Sequence, residues 1–135
     1  MPSILKSESF AVTSEQQVVT IRQATRRLAV EIKLSLVDQT KIITAASELA
    51  RNLLIYGGGG EVIMEMLAEG MRKGLRIQFI DHGPGIPDIE LALRDGYTSG
   101  NGMGLGLGGA KRLVNEFNIQ SKPGEGTHIT ITRWK

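Results

Sequence analysis

The chain has 135 residues, a formal net charge of +2 and 41% hydrophobic residues. That is the size and apolar content of one domain, spanning residues 1–135, with one core. The absence of cysteine excludes disulfide scaffolds, cysteine-zinc sites and thiol catalysis. A near-neutral charge and only 4% aromatics argue against a nucleic-acid partner. The longest apolar run, Leu53–Tyr56, is far too short to span a membrane. The first residues, MPSILKSESF, have no basic region followed by an apolar core, so no export signal is expected. The expected address is the cytoplasm.

In chain order, residues 7–12 read as a short strand. Ser14 predicts an N-cap with Gln17 as its capping-box partner, opening a helix on Val18, Ile21, Ala24, Leu28 and Ile32. Asp38 predicts the N-cap of a second helix carrying Ile42, Ala46, Leu49 and Leu53. The run Gly57 to Gly60 stops it. Residues 61–68 read as a strand, Gly70 to Gly74 as a hairpin turn, and the alternating LRIQFI (75–80) as a half-buried strand. A loop, DHGPGIPD, leads to a short helix around Ile89–Arg94. The glycine-dense residues 95–109 precede a helix over Lys111–Phe117. Residues 119–121 and 127–134 close the chain as strands around a turn at Pro123–Gly126. The expected fold class is α+β: a two-layer sandwich of a mostly antiparallel mixed sheet with helices on one face.

Four local patterns carry chemistry. Glu48 and Asn52, four apart on a helix, project from one face at the edge of the core stripe. A glutamate there serves as a base or orients a hydroxyl, and the Asn oxygen suits Mg²⁺. Alone, the pair reads equally as a solvated helix surface. Asp81-His82-Gly83-Pro84-Gly85-Ile86 directly follows a strand, so its glycines and proline force a sharp, rigid loop. An ionised Asp81 at the strand end can accept a hydrogen bond from an exocyclic amine such as adenine's, and the glycines let a flat ring approach the backbone. Its bland reading is an ordinary turn.

Gly100 to Gly109, with six glycines, precedes a helix and can cradle phosphate on backbone N–H groups. It is not a Walker A loop, because Ala110 stands where lysine is required. It is a poor dinucleotide fingerprint, because YTSGNGM before it is no strand. A glycine-rich flap without ligand is the plain alternative. Gly126-Thr127 opens the last strand and alone is a turn. His82 and His128, the only histidines, have no metal-pair spacing.

The order of these patterns resembles the ATP-binding domain shared by gyrase, Hsp90, sensor histidine kinases and mismatch-repair ATPases (the GHKL superfamily, or Bergerat fold). The motifs that carry the resemblance are Glu48/Asn52, Asp81/Gly83/Gly85, Gly102/Gly104 and Gly126/Thr127, and they span nearly the whole chain. The chain has no room for a histidine-bearing dimerisation pair or a transducer domain. Stretches such as SELARNLLIYGGGGEV and GAKRLVNEFNIQSKPGEGT are most similar to the serine/threonine kinases that regulate sigma factors, in particular stressosome switch kinases.

The resemblance implies roles for individual residues. Glu48 is the catalytic group that orients or deprotonates the attacking hydroxyl. Asn52 holds Mg²⁺ against the phosphates, and Asp81 binds the adenine amine. Thr127, with Gly83, Gly85 and Ile86, completes the base pocket, in part through a bridging water. Gly102, Met103, Gly104, Leu105 and Gly106 wrap the triphosphate, and Lys111 or Arg112 offsets its charge. The implied cofactors are ATP and Mg²⁺. The implied partners are STAS-domain antagonist or co-antagonist proteins and, on release, a downstream activator such as a phosphatase. The glycine loop is longer and richer than in the sigma-factor kinases. The competing readings are a nucleotide-binding docking module or anti-sigma factor, and a dinucleotide-binding fragment.

Overall fold

The computed structural model describes residues 2–86, 89, 93 and 106–135. Its elements in order are β1 (Ser3–Val12), α1 (Glu15–Glu31), α2 (Leu36–Ile55), β2 (Gly60–Glu69), β3 (Arg72–Asp81), α3 (Gly106–Arg112), β4 (Glu116–Lys122) and β5 (Gly126–Trp134). The strands form one sheet in the order β1-β2-β3-β5-β4. All four pairings are antiparallel, so among the described residues the sheet contains no parallel pair. The two-helix connection from β1 to β2 reverses the chain before it re-enters the sheet. Every later pair is joined through antiparallel neighbours.

The register separates two faces of the sheet. Val62 lies opposite Phe79, Met64 opposite Ile77 and Met66 opposite Leu75. Ile77 in turn faces Ile131, and Phe79 faces Ile129. These side chains share one face and form a single core with Ile21 and Leu28 of α1 and Ile42, Ala46, Leu49 and Leu53 of α2. Side chains alternate across a strand, so Asp81 and Thr127 fall on this same helix-facing side, at the sheet's end. The opposite face is mixed, with buried Leu67 and Trp134 beside a polar cluster. There Glu65 accepts hydrogen bonds from Arg76 and Gln78, each at 2.8 Å, and Gln78 meets His128 at 2.9 Å.

Several local expectations need correction: the first strand starts at Ser3, and the β2–β3 turn is confined to Gly70 and Met71 because Arg72 to Gly74 already pair in β3. Gln17 meets Ser14 only through the backbone, its N–H donating to Ser14 O at 3.1 Å. Its carboxamide oxygen accepts from the Thr13 backbone N–H and from the Thr13 hydroxyl, the latter at 2.9 Å, while the Ser14 side chain makes no cap bond. The cap of α2 is Ser35, whose hydroxyl accepts from Asp38 N at 3.1 Å, so Asp38 sits inside the first turn. Finally, the helix after the glycine loop ends at Arg112, and Glu116 and Phe117 belong to β4. The helix expected around Ile89–Arg94 lies mostly outside the described residues. Within it, Leu93 N donates to Ile89 O at 3.0 Å, the spacing of an α-helical turn.

Asp38 is freed from capping and bonds Arg133 of β5 at 2.6 Å, tying the start of α2 to the sheet. The hydrogen bond from Arg133 holds the Asp38 carboxyl below the usual aspartate range, against the opposing effect of burial. A carboxylate whose folded pKa is depressed adds stability above its unfolded pKa and loses it as pH falls through the folded value. Acidification below about pH 4 should therefore destabilise the chain in part through this pair. Asp38→Asn should flatten that part of the pH dependence in urea unfolding and cost about 1 kcal/mol at pH 7, since both side chains are only partly buried. Identical unfolding slopes with pH in the two proteins would remove Asp38 from the acid response.

Candidate active site

The second helix brings the first motif to the end of the sheet. Glu48 and Asn52 are half-buried beside the core stripe Ala45, Leu49 and Leu53. Glu48 also pairs with Arg51 Nη1 at 3.7 Å, one turn on. Asn52 O closes the helix, accepting from Tyr56 N at 2.9 Å and Gly57 N at 3.3 Å. The chain then passes directly against Asp81. A Cβ on Gly57 would stand 2.6 Å from both Cγ and Oδ2 of the Asp81 carboxyl, closer than real Cβ atoms approach. The turn that ends the E-x-x-x-N helix is thus one wall of the Asp81 site.

Asp81 is the last residue of β3 and is oriented by two backbone donors. Its Oδ1 accepts from Gly83 N at 2.9 Å and from Thr127 N at 3.2 Å. Its Oδ2 takes no hydrogen bond among the described residues. A carboxylate fixed through one oxygen, with the other open, is an acceptor aimed at a ligand donor. The loop after it is clipped to the β4–β5 turn: Gly124 N donates to Pro84 O at 2.8 Å and Ile86 N donates to Ser121 Oγ at 2.7 Å.

The loop glycines also have a packing role within the chain. A Cβ on Gly83 would meet the Gly57 backbone at 2.8 Å, and one on Gly85 would meet Lys122 O at 2.2 Å. Gly126 has φ +90°, and a Cβ there would lie 2.2 Å from Asp81 O. Neighbouring backbone by itself is enough to require glycine at these positions.

The motifs therefore converge. Asp81/Gly83/Gly85/Ile86 and Gly126/Thr127 meet at the helix-facing end of β3 and β5, and Asn52 joins them through the Gly57 turn, with Glu48 one turn earlier on the same helix. The helix that follows the glycine loop, α3, packs on α2 through Leu107 and Ala110 of the common core. Gly106 begins that helix with φ +70°, and Lys111 and Arg112 are exposed in its last turn. The expected phosphate contacts Gly102, Met103, Gly104 and Leu105 lie outside the described residues. The described residues hold no cluster of three or more metal-ligating His, Asp or Glu side chains.

Two residues of this arrangement were not singled out by sequence. Gly57 read only as a helix stop, although it opens a run of four glycines. Ser121 read only as strand, although it precedes the Pro-Gly turn. Gly57→Ala should push the Asp81 carboxyl aside and weaken ATP binding about ten-fold or more, the equivalent of ~1.4 kcal/mol. Titration of the folded variant with ATP is the check, and unchanged affinity would mean that the carboxyl can move without consequence.

Residues 37–135 match the family described as histidine kinase-, DNA gyrase B-, and HSP90-like ATPase. The chain is 45% identical over 123 residues to the serine/threonine-protein kinase RsbT of Bacillus subtilis, covering 91% of this chain and 92% of that protein. It is 27% identical over 133 residues to an anti-sigma F factor of Thermoanaerobacter, covering 96% of this chain and 86% of the relative. In three dimensions it resembles the crystal structure of the RsbU and RsbW domains of Rv1364c from Mycobacterium tuberculosis. The TM-score is 0.66 at 22% identity, over 95% of this chain and 32% of that one, a likeness of fold. With an ATPase profile covering most of its length and a kinase at this identity, the chain is an ATP-binding serine/threonine protein kinase, and it belongs to the histidine kinase-, DNA gyrase B-, and HSP90-like ATPase family.

Proposed function

We propose that the chain transfers the γ-phosphoryl group of ATP to a serine or threonine of a STAS-domain regulator in a stressosome-type complex. When released from that complex, it binds a downstream activator such as a phosphatase. The observation that carries the nucleotide reading is the Asp81 carboxyl, with Oδ1 spent on two backbone N–H groups and Oδ2 open. An adenine amine supplies the donor that such an oxygen lacks. The relatives named for serine/threonine kinase and anti-sigma activity support the choice of protein substrate.

Each residue then has a task. Glu48 orients or deprotonates the substrate hydroxyl, whose oxygen forms a bond to the γ-phosphorus as the bond to the β–γ bridging oxygen breaks and ADP departs. Asn52 offers a side-chain oxygen for Mg²⁺. Its amide makes no hydrogen bond among the described residues, and a hard cation prefers oxygen. Bound there, Mg²⁺ supplies neutralisation of phosphate charge. Gly102 to Gly106 wrap the phosphates by the amide cradle that a glycine loop before a helix allows, and Lys111 or Arg112 adds charge.

Asn52→Ala should weaken Mg²⁺-ATP while leaving adenosine binding unchanged. Equal losses for both ligands would move Asn52 from the metal to the base or the fold. Among the described residues no helix is long and apolar enough to cross a membrane. The proposed site of action is the cytoplasm.

A further inference from the structure

The registers of β3, β5 and β4 place Asp81 opposite Thr127, and Thr127 opposite Ser121, in one row on the helix-facing side of the sheet. Ser121 Oγ touches three groups there. Ile86 N lies at 2.7 Å, Gly126 O at 3.1 Å and Thr127 Oγ1 at 2.9 Å. A hydroxyl has one proton and two lone pairs. Ile86 N–H can only donate, so it takes one lone pair. Gly126 O can only accept, so it takes the proton. The contact to Thr127 is then satisfied in one way, with the Thr127 hydroxyl donating to the second lone pair of Ser121. The reverse orientation, Ser121 donating to Thr127, withdraws the proton from Gly126 O and leaves a lone pair idle.

We infer that Ser121 is a positioning residue that takes the Thr127 hydroxyl proton, so that Thr127 faces the nucleotide base as a hydrogen-bond acceptor. This rests on the reading of Asp81 as the base-binding carboxylate. The consequence is selectivity. The open Asp81 Oδ2 and the Thr127 lone pairs together form an acceptor-only wall. A C6 amino group brings N–H donors directly to it. A C6 carbonyl brings lone pairs against lone pairs, which costs the binding energy of an unpaired buried polar group. The same hydroxyl also tethers the loop after Asp81 through Ile86 N.

The test compares ATP with inosine triphosphate, which carries a carbonyl at C6, by direct binding to the full chain. Wild type should prefer ATP strongly. Ser121→Ala frees the Thr127 proton to turn toward the base, so the ATP:ITP preference should fall about ten-fold. Ser121→Thr, which keeps the hydroxyl, should restore it. Thr127→Val should lower the preference as well, and adding Ser121→Ala to Thr127→Val should lower it no further, because Ser121 acts through the Thr127 hydroxyl. If Ser121→Ala does not fold, Ser121→Cys, of similar volume and weaker hydrogen bonding, should shift the ratio in the same direction.

A wild-type preference for ATP that is unchanged in every folded Ser121 variant overturns the role of Ser121 and leaves the Asp81 reading intact. So does a Ser121→Ala effect that persists in full beside Thr127→Val. A wild-type chain with no ATP preference overturns the Asp81 reading itself.

Discussion

Asp81→Asn will lower ATP affinity by about 100-fold or more while leaving the chain folded. The substitution is nearly isosteric, and the asparagine oxygen can keep the two bonds from Gly83 N and Thr127 N that orient the side chain. The group replacing Oδ2 is then an NH₂, a donor aimed where the adenine amine also donates. The site loses a charge-assisted bond, worth about 1.5–3 kcal/mol, and gains a donor–donor clash. At ~1.4 kcal/mol per factor of ten the two together exceed two decades. Calorimetric titration with ATP, beside a circular dichroism spectrum and melting curve to show the fold is kept, is the measurement. Wild-type-like affinity in a folded Asp81→Asn protein would reject Asp81 as the base-binding residue.

Glu48→Ala should leave ATP bound and cut phosphoryl transfer by about 10²–10⁴-fold, the range for a positioned acid or base. Glu48 stands on α2 beside the core stripe, two turns before Gly57, and none of the hydrogen bonds that orient Asp81 involves it. Nucleotide affinity and catalysis should therefore separate cleanly. Docking to the STAS-domain partner should also persist, because the contact surface does not need the base. Single-turnover transfer at saturating ATP reads the chemical step, and a pull-down with the partner reads docking. A variant that binds ATP poorly but transfers normally once saturated would take Glu48 out of catalysis. One that binds nucleotide and partner as before, with unchanged transfer, would do the same.

The parts of this architecture that were legible in the sequence are those written in short periods. The alternation in LRIQFI fixed which residues of β3 enter the core, and by extension that Asp81, two beyond Phe79, faces the helices. The spacing of Glu48 and Asn52 on α2 is likewise local. What was not legible depends on contacts between residues distant in the chain. Gly57 matters because it lies against Asp81, and Ser121 because it receives the Ile86 N–H from 35 residues away. The backbone atoms of Gly57, Lys122 and Asp81 that crowd Gly83, Gly85 and Gly126 are likewise distant in the chain and invisible to local pattern.

The capping errors have a smaller cause. Gln17 had two adjacent hydroxyl residues within reach and bonded Thr13. Ser35, three residues before Asp38, caps the helix, and the Arg133 guanidinium engages the aspartate from across the fold. The extension of the glycine-loop helix to Phe117 failed because Leu113 and Val114 are apolar at helical spacing. Asn115 N nevertheless bonds Thr132 O at 2.9 Å and commits the chain to the sheet.

The most direct measurement is transfer itself. Purified chain, a STAS-domain regulator and γ-labelled ATP are mixed with Mg²⁺, and the regulator is analysed for labelled phosphoserine or phosphothreonine. The account predicts label on the regulator that requires Mg²⁺, disappears with Asp81→Asn through lost binding, and disappears with Glu48→Ala although ATP remains bound. An unlabelled regulator in a mixture where the wild-type chain binds both it and Mg²⁺-ATP would contradict kinase action on this substrate, and would leave a nucleotide-binding docking module in its place.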